Sequence, residues 1–299
     1  MSWRSENGNI MVAQKFDSVS LLRQGDVAPV HEVNAEGGSP FLLVCDHYGR
    51  QLPQRLGDLG LSEADLKRHI AYDIGIAEVA EQLAAMLDAH LIAQRYSRLV
   101  IDCNRRPWGS ASISALSETT GIPGNAGIAP RQRNARRHEI FDPYHHRINE
   151  AIVRRIQERR PTVLVALHSF TPVYKSVPRP WHVGVLYRDG TLLPQMLLSH
   201  LRSEGDLEVG DNQPYAVSDA TDYTIPVHGE ARGLIHSGIE IRQDLISDAA
   251  GQQQWAGRLA QILRKIDEDL AKRRRDSVSS IDVRRSKRAR ESEVLEQQK

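Results

Sequence analysis

Four short apolar runs in the chain end in residues able to do chemistry. Phe41-Leu42-Leu43-Val44-Cys45 runs into Asp46-His47, and Arg98-Leu99-Val100-Ile101 into Asp102-Cys103-Asn104-Arg105. Thr162–Leu167 runs into His168-Ser169, and Gly238-Ile239 into Glu240 and Arg242. Neutral imidazoles with a carboxylate are the ligand set that zinc uses in hydrolases, with water in an open position. Such a metal lowers the pKa of its water toward ~7 and polarises a carbonyl. A separate carboxylate can take the water's proton and deliver it to a leaving amine. Arginine suits a substrate carboxylate, because its planar fork bonds two oxygens at once. A single strand-end His is more often a hydrogen-bonded structural residue; the joint pattern reverses that reading.

The elements that must position these residues can be traced along the chain. Phe41–Cys45, Arg98–Asp102, Thr162–Leu167, His182–Tyr187 and Gly238–Ile241 read as strands, and apolar runs of this kind suit a parallel sheet. Ser62 with Asp65 makes a capping-box-like helix start, followed at helical spacing by Ile70, Ile74, Ala77, Val79, Leu83, Met86 and Leu87. Arg131–Arg160 reads as a helix broken at Pro143, Leu192–Leu201 as a helix, and Gln254–Leu270 as an amphipathic closing helix. Strands alternating with helices predict an α/β fold: a mostly parallel or mixed central sheet with helices on both faces. Ligands bind such sheets outside the carboxyl ends of the strands, where the polar residues above fall. Gly109–Pro130 is long enough to be an active-site loop, and Asp211–Gly229, with Asp219, Asp222 and Tyr223, to be a lid or specificity loop.

Composition sets the outer limits. Hydrophobic residues make up 40% of the 299 and charged residues 26%, as in ordinary globular enzymes. The net charge of +1 gives little electrostatic case for nucleic-acid binding, although Lys272–Arg275 and Arg284–Arg290 are basic. Cys45 and Cys103 lie in apolar stretches and read as small buried hydrophobes rather than a disulfide framework. No apolar run approaches the roughly 18–20 residues that span a bilayer, and the expected compartment is the cytoplasm.

From Phe41 to Leu270 the chain resembles the N-formylglutamate amidohydrolase family. The resemblance rests on Val44-Cys45-Asp46-His47, on His69-Ile70-Ala71-Tyr72-Asp73, and on Tyr96–Arg105. It continues through Pro143-Tyr144-His145, His168–Pro172 and Glu240–Ile246. That family is in turn similar to the zinc carboxypeptidases and aspartoacylase, which implies a zinc-carboxypeptidase-like fold. The resemblance implies zinc, or another divalent metal, held by His47 and His168, with Glu240 as general base and acid. It implies that Asn104-Arg105 bind a carboxylate of a small amide substrate, with N-formyl-L-glutamate the best candidate. The domain expected from it is 39–270, with 1–38 as an N-terminal extension and 271–299 as a charged tail, mobile or helical.

One departure matters. The carboxypeptidase pattern has a ligand Glu three residues after the first His, but position 50 is Arg. The third ligand is then Asp46 or Asp73; Asp73 is otherwise a helix-start carboxylate favoured by the helix dipole. Arg98 reads as a second carboxylate clamp, an oxyanion stabiliser or a salt-bridge residue. Arg242 falls beside Glu240 and is a further candidate for the substrate. His69 is a candidate for orienting a ligand. Tyr144 or His145 is a candidate donor to substrate, and Asp102 fixes the Asn-Arg turn. His182, His228 and His236 lie near loops or strand starts without an assigned role.

Overall fold

A computed structural model describes residues 20–188 and 192–296, with side chains described to Asp276. Residues 1–19 of the expected extension and 297–299 of the expected tail lie outside the described residues. In chain order the elements are β1 (Val30–Val33), β2 (Phe41–Cys45), α1 (Glu63–Leu66), α2 (Ile76–Leu87) and β3 (His90–Gln94). Next come β4 (Leu116–Ser117), β5 (Thr120–Gly121), α3 (Pro130–Arg136), α4 (Asp142–Gln157) and β6 (Val163–Phe170). The chain continues with β7 (Val173–Tyr174), β8 (Val177–Pro178), β9 (Val183–Leu186), α5 (Leu192–Ser203), β10 (Val209–Asp211), β11 (Ile235–Arg242) and α6 (Ala249–Glu296).

Seven strands form one sheet in the order β1-β3-β2-β6-β11-β9-β10. The central β3, β2, β6 and β11 run parallel. The strand β9 is antiparallel to β11, and β1 is antiparallel to β3. The sheet is mixed, and helices cover both faces. Because successive side chains alternate between faces, each strand feeds two cores. Phe41, Leu43, Val163, Val165, Leu167, Ile239 and Ile241 pack with α2, α5 and α6. Leu42, Val44, Ile92, Leu164 and Ala166 pack with Tyr144, Ile148 and Ile152 of α4. Burial on both sides is the reason these strands are continuous apolar runs.

Several elements differ from the sequence expectation. No strand forms at Arg98–Asp102; the strand beside β2 is β3, at His90–Gln94. Its polar ends find partners where they are buried, although His90 Nδ1 has none: His90 Nε2 lies 2.6 Å from Glu32 Oε1, and the Gln94 amide donates to Tyr96 O. Residues 97–102 instead make turn bonds, Val100 N to Ser97 O and Asp102 N to Ser112 O. The strand β1 adds an edge to the sheet from within the expected N-terminal extension.

The helix expected after Ser62 is two helices. Ser62 Oγ does accept from Asp65 N, but α1 stops at Leu66 and α2 begins only after Gly75. Gly75 sits at φ +78°, where a Cβ would meet the Ile246 carbonyl, so only glycine fits without strain. The break near Pro143 is a π-helical turn at Arg137–Phe141, and the proline occupies the first turn of α4, where its missing N–H costs nothing. The closing helix α6 does not end at Leu270; its backbone stays helical to Glu296. Among the described residues no helix is long and apolar enough to cross a membrane.

Candidate metal centre and substrate cavity

The chain brings its polar residues together at the carboxyl edge of β2, β6 and β11. Asp46 and His47 follow the last residue of β2, His168 lies within β6, and β11 sets Glu240 directly opposite His168. Asp73 arrives from the break between α1 and α2, where its N–H donates to His47 O. All five side chains are buried.

His47, Asp73 and His168 form the group that could hold a metal ion among the described residues, with one ligand atom from each lying within 4.8 Å of the others. The hydrogen bonds around them sort the ring nitrogens. His47 Nε2 donates to Asp102 Oδ1 at 2.8 Å, which leaves Nδ1 directed at Asp73 Oδ2, 3.4 Å away and without a hydrogen-bond partner. His168 differs: its Nδ1 donates to Asp73 Oδ2 at 3.0 Å, while Nε2 lies 3.3 Å from Asp46 Oδ2 without a hydrogen bond. Each imidazole has an outer carboxylate beside its Nε2 and directs its Nδ1 at Asp73, and Asp102 fixes the His47 ring by a hydrogen bond. Four carboxylates, Asp46, Asp73, Asp102 and Glu240, surround two imidazoles and the Arg98 guanidinium. The surplus of negative charge and the converging Nδ1 atoms fit a divalent cation.

The titration behaviour follows from this crowding. Burial disfavours ionised Asp73, but His47 and His168 outweigh it and hold the carboxyl far below its usual range. Burial likewise opposes ionised Asp102, and Arg98 and His47 overcome it. Asp46 sits at about 2, since its contact with His168 prevails over burial. Glu240 goes the other way. Burial, reinforced by the charge of Asp73, pushes its carboxyl up to about 7 against His168, His47 and Arg98. Its Oε2 is buried without a partner. A carboxyl poised near neutrality beside a group that could hold a cation is suited to exchanging protons.

These residues open on a cavity of about 650 Å³, lined by His47, Asp73, His168 and Glu240 together with Arg98, Asn104 and Arg105. Loops expected to serve the site do line it, through Ser117 and Glu118 of the β4–β5 hairpin and through Tyr215 and Asp222. Arg98 is spent on carboxylates: Nη2 bonds Asp102 at 2.8 Å and Nη1 bonds Asp73 at 3.3 Å. Asn104 secures the opposite loop, accepting from Tyr223 and Thr224 N–H and donating to Asp222. Arg105 faces the cavity and bonds the carbonyls of Asn104 and Thr221. His69 also lines the cavity but pairs with Glu118, 3.3 Å away, rather than with the metal group.

Two expected substrate contacts are elsewhere. Tyr144 is fully buried in the α4 core and is not part of the cavity wall. Arg242 turns away, binding Asp244 through Nε at 2.8 Å and Pro180 O through Nη1 at 2.9 Å. Asp46 lies behind His168 rather than in the three-residue group, its Oδ1 accepting from Thr224 Oγ1 at 2.6 Å. Asp102 does fix the Asn-Arg turn, accepting from Asn104 N at 2.9 Å, and its bond to His47 is an added role. That second role spans 55 positions of sequence, and no local signal announces it. His145 and His228 form a buried pair at 3.0 Å, with His145 Nε2 donating to Cys103 O.

Comparison with known proteins places this arrangement in a family. Residues 39–247 match the family described as N-formylglutamate amidohydrolase. The solved structure of the gene product Atu2144 from Agrobacterium tumefaciens is 35% identical, with a TM-score of 0.81, covering 84% of this chain and 99% of that one. N-formylglutamate amidohydrolase from Ralstonia eutropha JMP134 shares the fold at 21% identity, with a TM-score of 0.61, covering 82% of this chain and 99% of that one. Among curated proteins none matches. With more than half its length matched, this chain, a hydrolase acting on amides, belongs to the N-formylglutamate amidohydrolase family.

Proposed function

We propose that the protein hydrolyses the amide of an N-acyl amino acid, with N-formyl-L-glutamate as the best candidate, giving L-glutamate and formate. The observation that carries this reading is the buried Glu240, its Oε2 without a partner, set opposite His168 at the edge of the His47–Asp73–His168 group. We assign zinc to that group through the two Nδ1 atoms and the Asp73 carboxylate. Asp73 is preferred to Asp46 as the third ligand because both ring nitrogens converge on it. When bound, the metal lowers the pKa of water toward ~7 and polarises the substrate carbonyl.

The chain's own residues do the remainder. Glu240 takes a proton from the attacking water and returns it to the amine nitrogen as the C–N bond breaks. Asp102 holds the His47 imidazole in the tautomer that leaves Nδ1 free, and Asp46 stands beside Nε2 of His168. Arg98 keeps Asp73 and Asp102 ionised and in place, and Arg105 takes a substrate carboxylate at the cavity wall. The cytoplasm is the compartment assigned with this reading. The test is a panel of N-formyl, N-acetyl and N-carbamoyl amino acids offered to the zinc-supplied protein. Turnover confined to N-formyl-L-glutamate is expected; comparable rates on unrelated acyl groups would overturn the formyl assignment.

A further inference from the structure

The last part of α6 lies beyond the core that holds the rest of the chain. Leu270 is the final α6 residue in that buried core, and the backbone stays helical from there to Glu296. The 26 residues from Ala271 to Glu296 make ~39 Å of helix, at about 1.5 Å per residue, with no core to rest on. A helix that is polar on all sides draws its stability from a partner or from its own charge pairs. Here the charges are not balanced for pairing. Residues 272–290 hold nine Lys or Arg, in Lys272–Arg275 and Arg284–Arg290, against two acids, Asp276 and Asp282. The segment carries +7 in a chain whose total is +1, so everything outside it sums to −6. The whole-chain charge conceals this because it adds two opposite parts.

Position along the helix narrows the kind of partner. Lys272, Arg273, Arg274 and Arg275 are all exposed, and four consecutive residues at about 100° per residue occupy every side of the axis. Arg284, Arg285, Lys287, Arg288 and Arg290 are spread round the axis in the same way, ~20 Å further along the helix. A membrane-surface helix needs an apolar face beneath its cations, but Val283 falls about 140° round the axis from Val278. A coiled coil with a second copy needs apolar positions sustained over about three or four heptads; between Ala271 and Arg290 the large apolar residues are Val278, Ile281 and Val283 alone. Positive charge all round a slender rod instead matches the phosphates on both sides of a DNA major groove, which is wide enough to admit an α-helix. The acidic remainder of the chain keeps such a contact on the extension, and Glu291, Glu293 and Glu296 mark its far limit.

We propose that the α6 extension, Lys272–Arg290, is a docking surface for double-stranded DNA, which it binds through the phosphates. The surface is separate from the amide-hydrolase cavity, and neither reading depends on the other. The test titrates a short fluorescent DNA duplex with the full chain, by anisotropy, over a range of salt concentrations. The wild type should bind with Kd of about 10⁻⁴–10⁻⁶ M at physiological salt, and its affinity should fall by about 10³-fold or more between ~50 and ~200 mM salt. Arg284→Gln, Arg285→Gln, Lys287→Gln and Arg288→Gln combined should weaken binding and flatten the log–log salt slope by up to about 3.6, at about 0.9 per lost phosphate contact. Arg284→Lys, Arg285→Lys and Arg288→Lys combined should keep both, because the attraction is to charge. An RNA duplex of the same sequence should bind more weakly, since its major groove is too narrow for the helix. No DNA binding at ~50 mM salt, or a fourfold Gln variant that binds as the wild type does, overturns the proposal. So does an RNA duplex bound as tightly as DNA, or a preference for phosphatidylserine vesicles over the duplex.

Discussion

Replacing Asp102 with Asn changes one atom in a carboxylate that serves four donors, among them Arg98 Nε at 3.2 Å. Asp102 accepts from His47 Nε2 at 2.8 Å, from Arg98 Nη2 at 2.8 Å and from Asn104 N at 2.9 Å. An asparagine has one acceptor oxygen and one NH2 group. If the oxygen stays with Arg98, the NH2 faces His47 Nε2 and the ring must accept there. The proton then moves to Nδ1, the nitrogen that points at Asp73. Loss of an outer carboxylate of this kind costs about 10- to 100-fold in metal affinity, or about 1.4–2.7 kcal/mol. Zinc competition against a chromophoric chelator reads this directly. Asp222→Asn is the control, because Asp222 lines the same cavity but bonds Asn104 rather than an imidazole. An Asp102→Asn protein that binds zinc within twofold of wild type would refute the assignment of Nδ1 as the ligand atom.

Other expectations follow from the same geometry. His145 and His228 are held neutral, at about 4 and about 3, by burial. Lowered histidine values contribute stability that is complete above pH ~6.5 and lost as pH falls toward those values. Urea unfolding should therefore show a loss of roughly 2–3 kcal/mol from this pair between pH 7.5 and 5.5. The His145→Gln/His228→Leu double variant should have a flatter pH profile, and an unchanged slope would contradict the pair's role. Tyr144→Phe should leave KM within about twofold, because Tyr144 is buried and does not line the cavity; a large rise in KM would restore Tyr144 as a substrate contact. Gly75→Ala should destabilise by about 1–3 kcal/mol, through its positive φ and the Ile246 carbonyl, and thermal melting checks this.

The sequence displays the sheet well where strands are buried on both faces. Phe41–Cys45 and Val163–Phe170 are apolar because helices cover them on either side. It hides β3, because His90 and Gln94 interrupt the apolar pattern and find partners only in the folded chain. It also hides the break between α1 and α2, where apolar residues continue at helical spacing while Gly75 turns the backbone. That break delivers Asp73, so the choice between Asp46 and Asp73 has no local answer. His47, His168 and Glu240 were legible because parallel strands must deliver them to one edge. Arg242 was misleading for the same reason: its position is right, but Asp244, two residues on, takes its guanidinium.

The central claim is that Glu240 moves the proton in a metal-dependent amide hydrolysis. The most direct measurement follows formate and L-glutamate released from N-formyl-L-glutamate by zinc-loaded wild type, chelator-stripped wild type and zinc-loaded Glu240→Gln, with zinc content measured in each. The account predicts stoichiometric product from the loaded wild type, recovery of the stripped enzyme on adding zinc, and full zinc content in Glu240→Gln with turnover lower by about 10²–10⁴-fold. Wild-type turnover by the zinc-loaded Glu240→Gln protein, or undiminished turnover after stripping, would contradict it.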